Sequence, residues 1–171
     1  MQPLTTLQIS LSRAALRLFE CPKKSAPDKT TEEKKMSFTF PSDEWIRAYM
    51  AVVNESQAYR EAAKTWEGDL YFVVDAGPGV PQDVYLYMDL WHGACREAFE
   101  ATDSGAKAPE FVIRATLPTW RKVIEGKLDP IRGMMTRQLK LKGNLAKIMR
   151  APKAATELVN CCTLVDTTWP E

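Results

Sequence analysis

The sequence predicts an α+β domain in which a meander of short strands forms a mostly antiparallel sheet covered on one side by helices. Three observations lead there. Helical spacing of apolar residues follows Pro41, closely spaced β-type runs occupy the middle of the chain, and helical spacing returns after Leu117 and again after Leu145. With 171 residues the chain suits one domain with an ordinary core and an appendage.

The domain is expected over residues 36–171, behind an N-terminal extension, residues 1–35. In that extension Leu4, Leu7, Leu11, Ala14 or Ala15 and Leu18 recur at helical spacing, Arg13 and Arg17 lie among them, and no acid precedes Glu20. Such a stretch fits an organellar presequence, a surface-lying helix or a peripheral arm. The run CPKKSAPDKTTEEKK, residues 21–35, has almost no apolar content and reads as a flexible linker. Met36 offers an alternative start of translation, which would make the upstream piece no part of the protein.

From there the elements follow in order. Pro41-Ser42-Asp43-Glu44 caps a helix whose Trp45, Ile46, Tyr49, Met50 and Val53 form an apolar stripe. A second helix is expected from Ser56 to Trp66, ended by Gly68. Asp69 to Asp75 and Val84 to Trp91 are dense in aromatic and β-branched residues and read as strands. In the second of these, Val84, Leu86, Met88 and Leu90 share one face, and Tyr85, Tyr87, Asp89 and Trp91 share the other. Both faces are largely apolar, which suggests helices on one side and another non-aqueous neighbour on the other.

His92-Gly93-Ala94 turns into a strand from Cys95 to Ala101, and a polar loop leads to another from Glu110 to Ala115. Such close spacing makes antiparallel pairing the economical expectation. Leu117-Pro118 opens a helix with Trp120, Val123 and Ile124 on one face, stopped at Gly126. Asp129-Pro130 caps a further piece through Met134 and Met135. Leu139 to Lys142 is a fifth strand, with the leucines inward and Lys140 and Lys142 toward water. Helical periodicity then runs through Leu145, Ile148 and Met149, breaks near Pro152, and continues through Ala155, Leu158, Val159 and Cys162.

Several chemistries find little support. The 23 basic and 22 acidic side chains nearly balance, which argues against a bulk grip on nucleic acid. No stretch approaches the roughly 20 apolar residues that span a bilayer. The single histidine, His92, sits in a turn with no metal-binding spacing around it, so a turn residue is favoured over a base or ligand. Gly77-Pro78-Gly79 lacks a phosphate-loop pattern and is a turn. Cys21, Cys95, Cys161 and Cys162 show no CxxC spacing, and a reducing, cytoplasmic setting is the easier reading, with targeting by residues 1–20 as the alternative. On a helix the vicinal pair diverges by about 100°, so Cys162 is expected buried and Cys161 partly exposed. Neither an enzymatic role nor a cofactor is indicated.

Two features remain. Lys140, Lys142, Lys147, Arg150 and Lys153, with Arg132 and Arg137 upstream, are the one concentrated basic set; a solvated face is favoured, ahead of attraction to anionic membranes or a lipid head group and, last, nucleic acid, for which no aromatics interleave with the set. Met88, Met134, Met135 and Met149 add flexible, polarizable side chains suited either to lining a cavity or to filling a core.

The segment Gly126-Lys127-Leu128-Asp129-Pro130, then Leu139-Lys140-Leu141-Lys142-Gly143-Asn144 and the helix containing Ala146 and Met149, resembles the C-terminal signature of the sterol carrier protein 2 family. The resemblance covers roughly Phe38 to Val165. It implies a five-stranded, mostly antiparallel sheet, helices on one side, and an apolar tunnel between that holds a fatty acid, acyl-CoA, phospholipid or sterol without catalysis. It places Met134 and Met135 beside the tunnel, Leu139 and Leu141 inward on the last strand, and Ile148 and Met149 on the closing helix. Met88 and Phe99 are added to the expected lining, and Lys140, Lys142, Lys147 and Arg150 are expected at a head group or membrane. The sequence departs from the family where Arg137 and Gln138 replace a frequent Gly-Lys pair. The expected partners are a lipid or sterol and, transiently, an anionic membrane, with no nucleic acid; a monomer or weak homodimer is expected. The competing expectation is an interaction module of the same fold with a collapsed cavity.

Overall fold

The computed structural model describes residues 37–171; the expected helix and linker of the N-terminal extension lie outside the described residues. Ser42 caps α1 (Asp43–Glu55) by accepting from the Trp45 amide over 3.1 Å. The helix buries Trp45, Ile46, Tyr49 and Val53. Ser56 closes α1 and caps α2 (Gln57–Ala62), accepting from the Tyr59 amide. This second helix is shorter than expected. Its chain turns at Ala63, where the Trp66 amide donates to the Ala63 carbonyl, and the Trp66 ring packs on Phe111.

The central sheet has the order β4-β3-β2-β5-β6. Its strands are β2 (Glu67–Asp75), β3 (Val84–Trp91), β4 (Ala94–Ala101), β5 (Phe111–Thr116) and β6 (Lys140–Lys142). A two-residue strand β1 (Phe38–Thr39) precedes them outside this sheet. The pairs β2–β3, β3–β4 and β5–β6 are antiparallel, with Tyr71 opposite Tyr87 and Ile113 opposite Leu141. Pairing of β5 with β2 is parallel, Phe72 standing beside Ile113, so antiparallel order fails at this one junction. After the β2–β3–β4 meander, the free side of β2 is reached only by a connection that returns across the sheet, and β5 arrives running the same way as β2.

That connection accounts for the second apolar face. Leu70, Phe72, Val74, Leu86, Met88, Leu90 and Phe111 face the helices, whereas Tyr71, Val73, Tyr87 and Ala101 form a separate buried cluster with Tyr85, Phe99 and Val112. The loop 102–110 lies over this cluster: the Lys107 amide donates to the Tyr71 hydroxyl, and the Lys107 ammonium lies above the Tyr87 and Phe99 rings.

The helical layer is completed by α3 (Leu117–Ile124), α4 (Pro130–Met135), α5 (Leu145–Met149) and α6 (Pro152–Thr163). Asp129 caps α4 by accepting from the Arg132 amide over 2.8 Å. Trp120 of α3 packs edge-on to Phe72 and donates to the Val73 carbonyl, fixing the helix on the sheet. After α6, β7 (Thr167–Thr168) pairs in parallel with β1, a small second sheet that periodicity did not reveal. Both cysteines of α6 are buried, which corrects the expected exposure of Cys161. The helix packs on α1 and α2 with one flank while Cys162 turns toward an interior cavity, so neighbouring positions are both covered.

Candidate functional site

Between the sheet and the helices lies a cavity of about 80 Å³. The floor comes from sheet residues such as Leu70, Phe72, Phe111 and Ile113. Aromatic walls come from α1 and α2, and α6 contributes the small side chains Ala154 and Ala155 with Leu158 and Cys162.

What makes this wall hydrocarbon-like is the fate of its polar atoms. Trp45 donates its indole N–H to Thr167 Oγ1 over 2.9 Å, Trp66 to the Gly68 carbonyl over 3.3 Å, and Trp120 to the Val73 carbonyl over 2.9 Å. The Tyr49 hydroxyl donates to the Leu158 carbonyl over 2.7 Å. These donors are engaged within the protein, so the rings offer the cavity mainly carbon. Burial also keeps the titratable wall residues neutral. It pushes the Tyr49 and Tyr59 phenols up and the Cys162 thiol up to about 12. A ligand entering this space gains from loss of apolar surface, on the order of 0.8 kcal/mol per buried methylene, and finds no ionised partner inside.

Of the expected lining residues, the structure brings Met134, Leu139 and Ile148 together in the wall. Five others stand elsewhere. Met88 is fully buried but belongs to the packed core of the sheet. Leu141 faces the helical side and packs on that core at the sheet edge, outside the wall. Met135 and Met149 project outward, 64% and 48% exposed, because the inward direction at these turns belongs to the preceding residues Met134 and Ile148. Phe99 lies on the opposite face of the sheet. A register shift between Asp89 and Leu90 sets Cys95 opposite Leu90 but Glu97 opposite Asp89, which reverses the alternation along β4.

The wall residues missed at the sequence level are chiefly aromatic: Trp45, Tyr49, Tyr59, Trp66 and Trp120. Each carries the pattern of ordinary core, and nothing in local periodicity separates a core ring from a ring bordering a void. The basic set is likewise divided. Lys140, Lys142 and Arg150 are exposed, whereas Lys147 holds both carboxylate oxygens of Glu110 at 2.6 and 2.8 Å. His92 is a turn residue with positive φ; its Nδ1 lies 2.7 Å from the Lys64 carbonyl and its Nε2 3.0 Å from Glu67. Among the described residues, no three His, Cys, Asp or Glu side chains are grouped to hold a metal ion, and no helix is long and apolar enough to cross a membrane.

A sheet-and-helix sandwich around an apolar cavity agrees with the comparison against family models, where residues 46–155 match the SCP-2 sterol transfer family. The chain belongs to this family. The matched span holds the whole central sheet and the Gly126 to Met149 segment. A crystal structure of sterol carrier protein 2 is 43% identical, covers 72% of this chain and 97% of its own, and superposes with a TM-score of 0.67. A solution structure from Thermus thermophilus, described as a conserved hypothetical protein and possibly a sterol carrier protein, is 42% identical over 73% of this chain and 88% of its own, with a TM-score of 0.67. No curated protein matches the chain. Arg137, which stands just before the last strand of the sheet, takes a left-handed φ of 60° without being glycine.

Proposed function

We propose that this SCP-2 family chain is a non-enzymatic carrier that takes the apolar part of a lipid, a fatty acid, acyl-CoA, phospholipid or sterol, into the cavity between sheet and helices. The observation that supports it is the wall itself: aromatic rings whose polar atoms are engaged elsewhere, bordering free space instead of closing upon it. Cores that serve stability alone carry few voids larger than a water molecule. Met134, Leu139 and Ile148 are the contacts proposed from the expected set, with the five aromatic residues added. Lys140, Lys142 and Arg150 are proposed to meet anionic membrane surface while cargo is exchanged. The buried free thiols of Cys95, Cys161 and Cys162 support a reducing, cytoplasmic setting.

A volume of about 80 Å³ is well below the several hundred of a pocket enclosing a whole small-molecule ligand. Loading therefore requires the wall to widen. The break between α5 and α6 at Arg150-Ala151, the flexible Met134 and the alanines of α6 are the parts of the wall best able to yield. The same small volume favours a second reading, an interaction module whose cavity stays collapsed. Transfer of fluorescent fatty acid and sterol between vesicles separates the two: catalysed exchange supports the carrier, and exchange at the spontaneous rate supports the module.

A further inference from the structure

Trp66 and Phe111 border the cavity with their rings 5.6 Å apart between centroids and tilted by 32°. Directly over both stands the ammonium of Lys147, 5.6 Å from the Trp66 ring centre and 5.5 Å from that of Phe111. Lys147 and Glu110 line a surface groove together with Glu67, Gly68, Asp69 and Tyr87, the last from the sheet face turned away from the helices. The two buried rings thus stand as a partition between the interior void that they border and the Lys147–Glu110 ion pair, which lies in the groove. The one-turn helix α5 supplies both sides of this partition, since Ile148 faces the void and the preceding Lys147 faces the groove.

The backbone around the partition has no room to spare. A Cβ on Gly68, whose φ is 153°, would stand 2.9 Å from Glu110 Oε2 and 3.2 Å from the Phe111 ring; one on Gly143 would stand 2.7 Å from Phe111. Lys147 is the one cation, among the described residues, placed over cavity-lining rings. The other charges of the groove are engaged: Asp89 with Arg96, Glu67 with His92, and Asp69 with the Tyr87 hydroxyl and the Glu110 amide.

Building on the carrier reading, we infer that this partition is the portal of the cavity and that Lys147 binds the carboxylate of a long-chain ligand whose tail lies inside, Glu110 occupying that position until the ligand carboxylate replaces it. The exchange is isoelectric at Lys147, because one carboxylate follows another on the same ammonium. Glu110 is 40% exposed at its side chain and returns to water with little desolvation to reverse. A sterol or alcohol, lacking the charge, gains nothing from Lys147, so the pair makes the cavity selective for acids.

The test compares dodecanoate with dodecan-1-ol as ligands of the full chain at neutral pH, by calorimetry or displacement of a fluorescent probe. Lys147→Gln is expected to weaken dodecanoate about tenfold, as loss of one charge-assisted contact does, and to leave dodecanol within about twofold. Lys147→Arg is expected to keep the preference for the acid. Glu110→Gln is expected to strengthen dodecanoate about threefold or more, because the competing carboxylate is gone. Thermal melts of each variant establish that it is folded. If parent and variants bind both ligands with the same acid-to-alcohol ratio, the portal assignment is overturned while the cavity reading stands. If the parent binds neither, the cavity reading falls and the portal with it.

Discussion

The Tyr49 hydroxyl of α1 donates to the Leu158 carbonyl of α6 over 2.7 Å, tying together two helices that both line the cavity. A bond of this kind, inside a wall with few other polar atoms, both positions the ring and stiffens the helical layer. Tyr49→Phe keeps the ring and removes the tie. It should lower stability by about 1 kcal/mol, or roughly 3 to 5 °C in melting temperature for a domain of this size. An unchanged melting curve would show that the bond contributes nothing net.

Arg137 tests the turn that precedes β6. A left-handed backbone costs an L-residue with a Cβ roughly 1 to 2 kcal/mol, and glycine recovers most of this while adding about 0.5 to 1 kcal/mol of unfolded-state entropy. Arg137→Gly should therefore be neutral to slightly stabilising, by up to about 1 kcal/mol, in denaturant titrations. A clear loss of stability would mean that the arginine side chain contributes more than its backbone costs.

The buried thiols set an alkaline limit. Burial raises Cys162, and likewise Cys95, from an ordinary value of 9.0 to about 12. A raised folded value means that their contribution is complete below about pH 9 and is lost progressively as pH climbs from 9 toward 12. Stability measured by denaturant across that window should fall, and Cys162→Ala should flatten part of the slope. Peptide-resolved alkylation at pH 8 should label both residues at least about a hundredfold more slowly than in the unfolded chain. Equal labelling rates would contradict their burial.

Lys140 and Lys142 flank Leu141 on the edge strand β6 and point away from the helical layer. If they hold the protein to anionic membranes, Lys140→Glu with Lys142→Glu should weaken binding to phosphatidylserine vesicles at least about thirtyfold, near 1 kcal/mol for each lysine removed. The difference should shrink as salt is raised, since screening acts on exposed charge. Vesicle sedimentation at two salt concentrations reads both effects, and unchanged sedimentation would remove these lysines from any membrane role.

Much of this architecture was legible in local patterns. Ser42 and Asp129 cap where their side chains and the following apolar spacing indicate, and the alternation in β3 correctly separates Leu86 and Met88 from Tyr85 and Tyr87. Non-local decisions were not legible. Parallel pairing of β5 with β2, and of β1 with β7, joins segments whose sequences carry no mark of their partner. Phe99 changed face because an extra residue near Arg96 reverses a period of two, and a bulge leaves no compositional trace when Ala-Cys-Arg-Glu is read alone. Met134 and Met135 are chemically equivalent neighbours, and only the direction of α4 against the sheet decides which faces inward. Recognition of the family came from the Gly126 to Met149 segment, whereas the aromatic residues of the wall all lie outside it, on helices, strands and connections that precede Gly126.

The central claim is that the space beneath α6 admits a lipid chain. The most direct measurement is native mass spectrometry of the full chain mixed with a long-chain fatty acid, beside its Ala155→Leu variant. Ala155 borders the void, so leucine fills space that is already free and should cost less than about 1.5 kcal/mol of stability while blocking the chain. The carrier account predicts one lipid per parent chain and at least about a tenfold loss of affinity in the folded variant. A parent that takes up no fatty acid, acyl-CoA or sterol, or a variant that binds as the parent does, would contradict it.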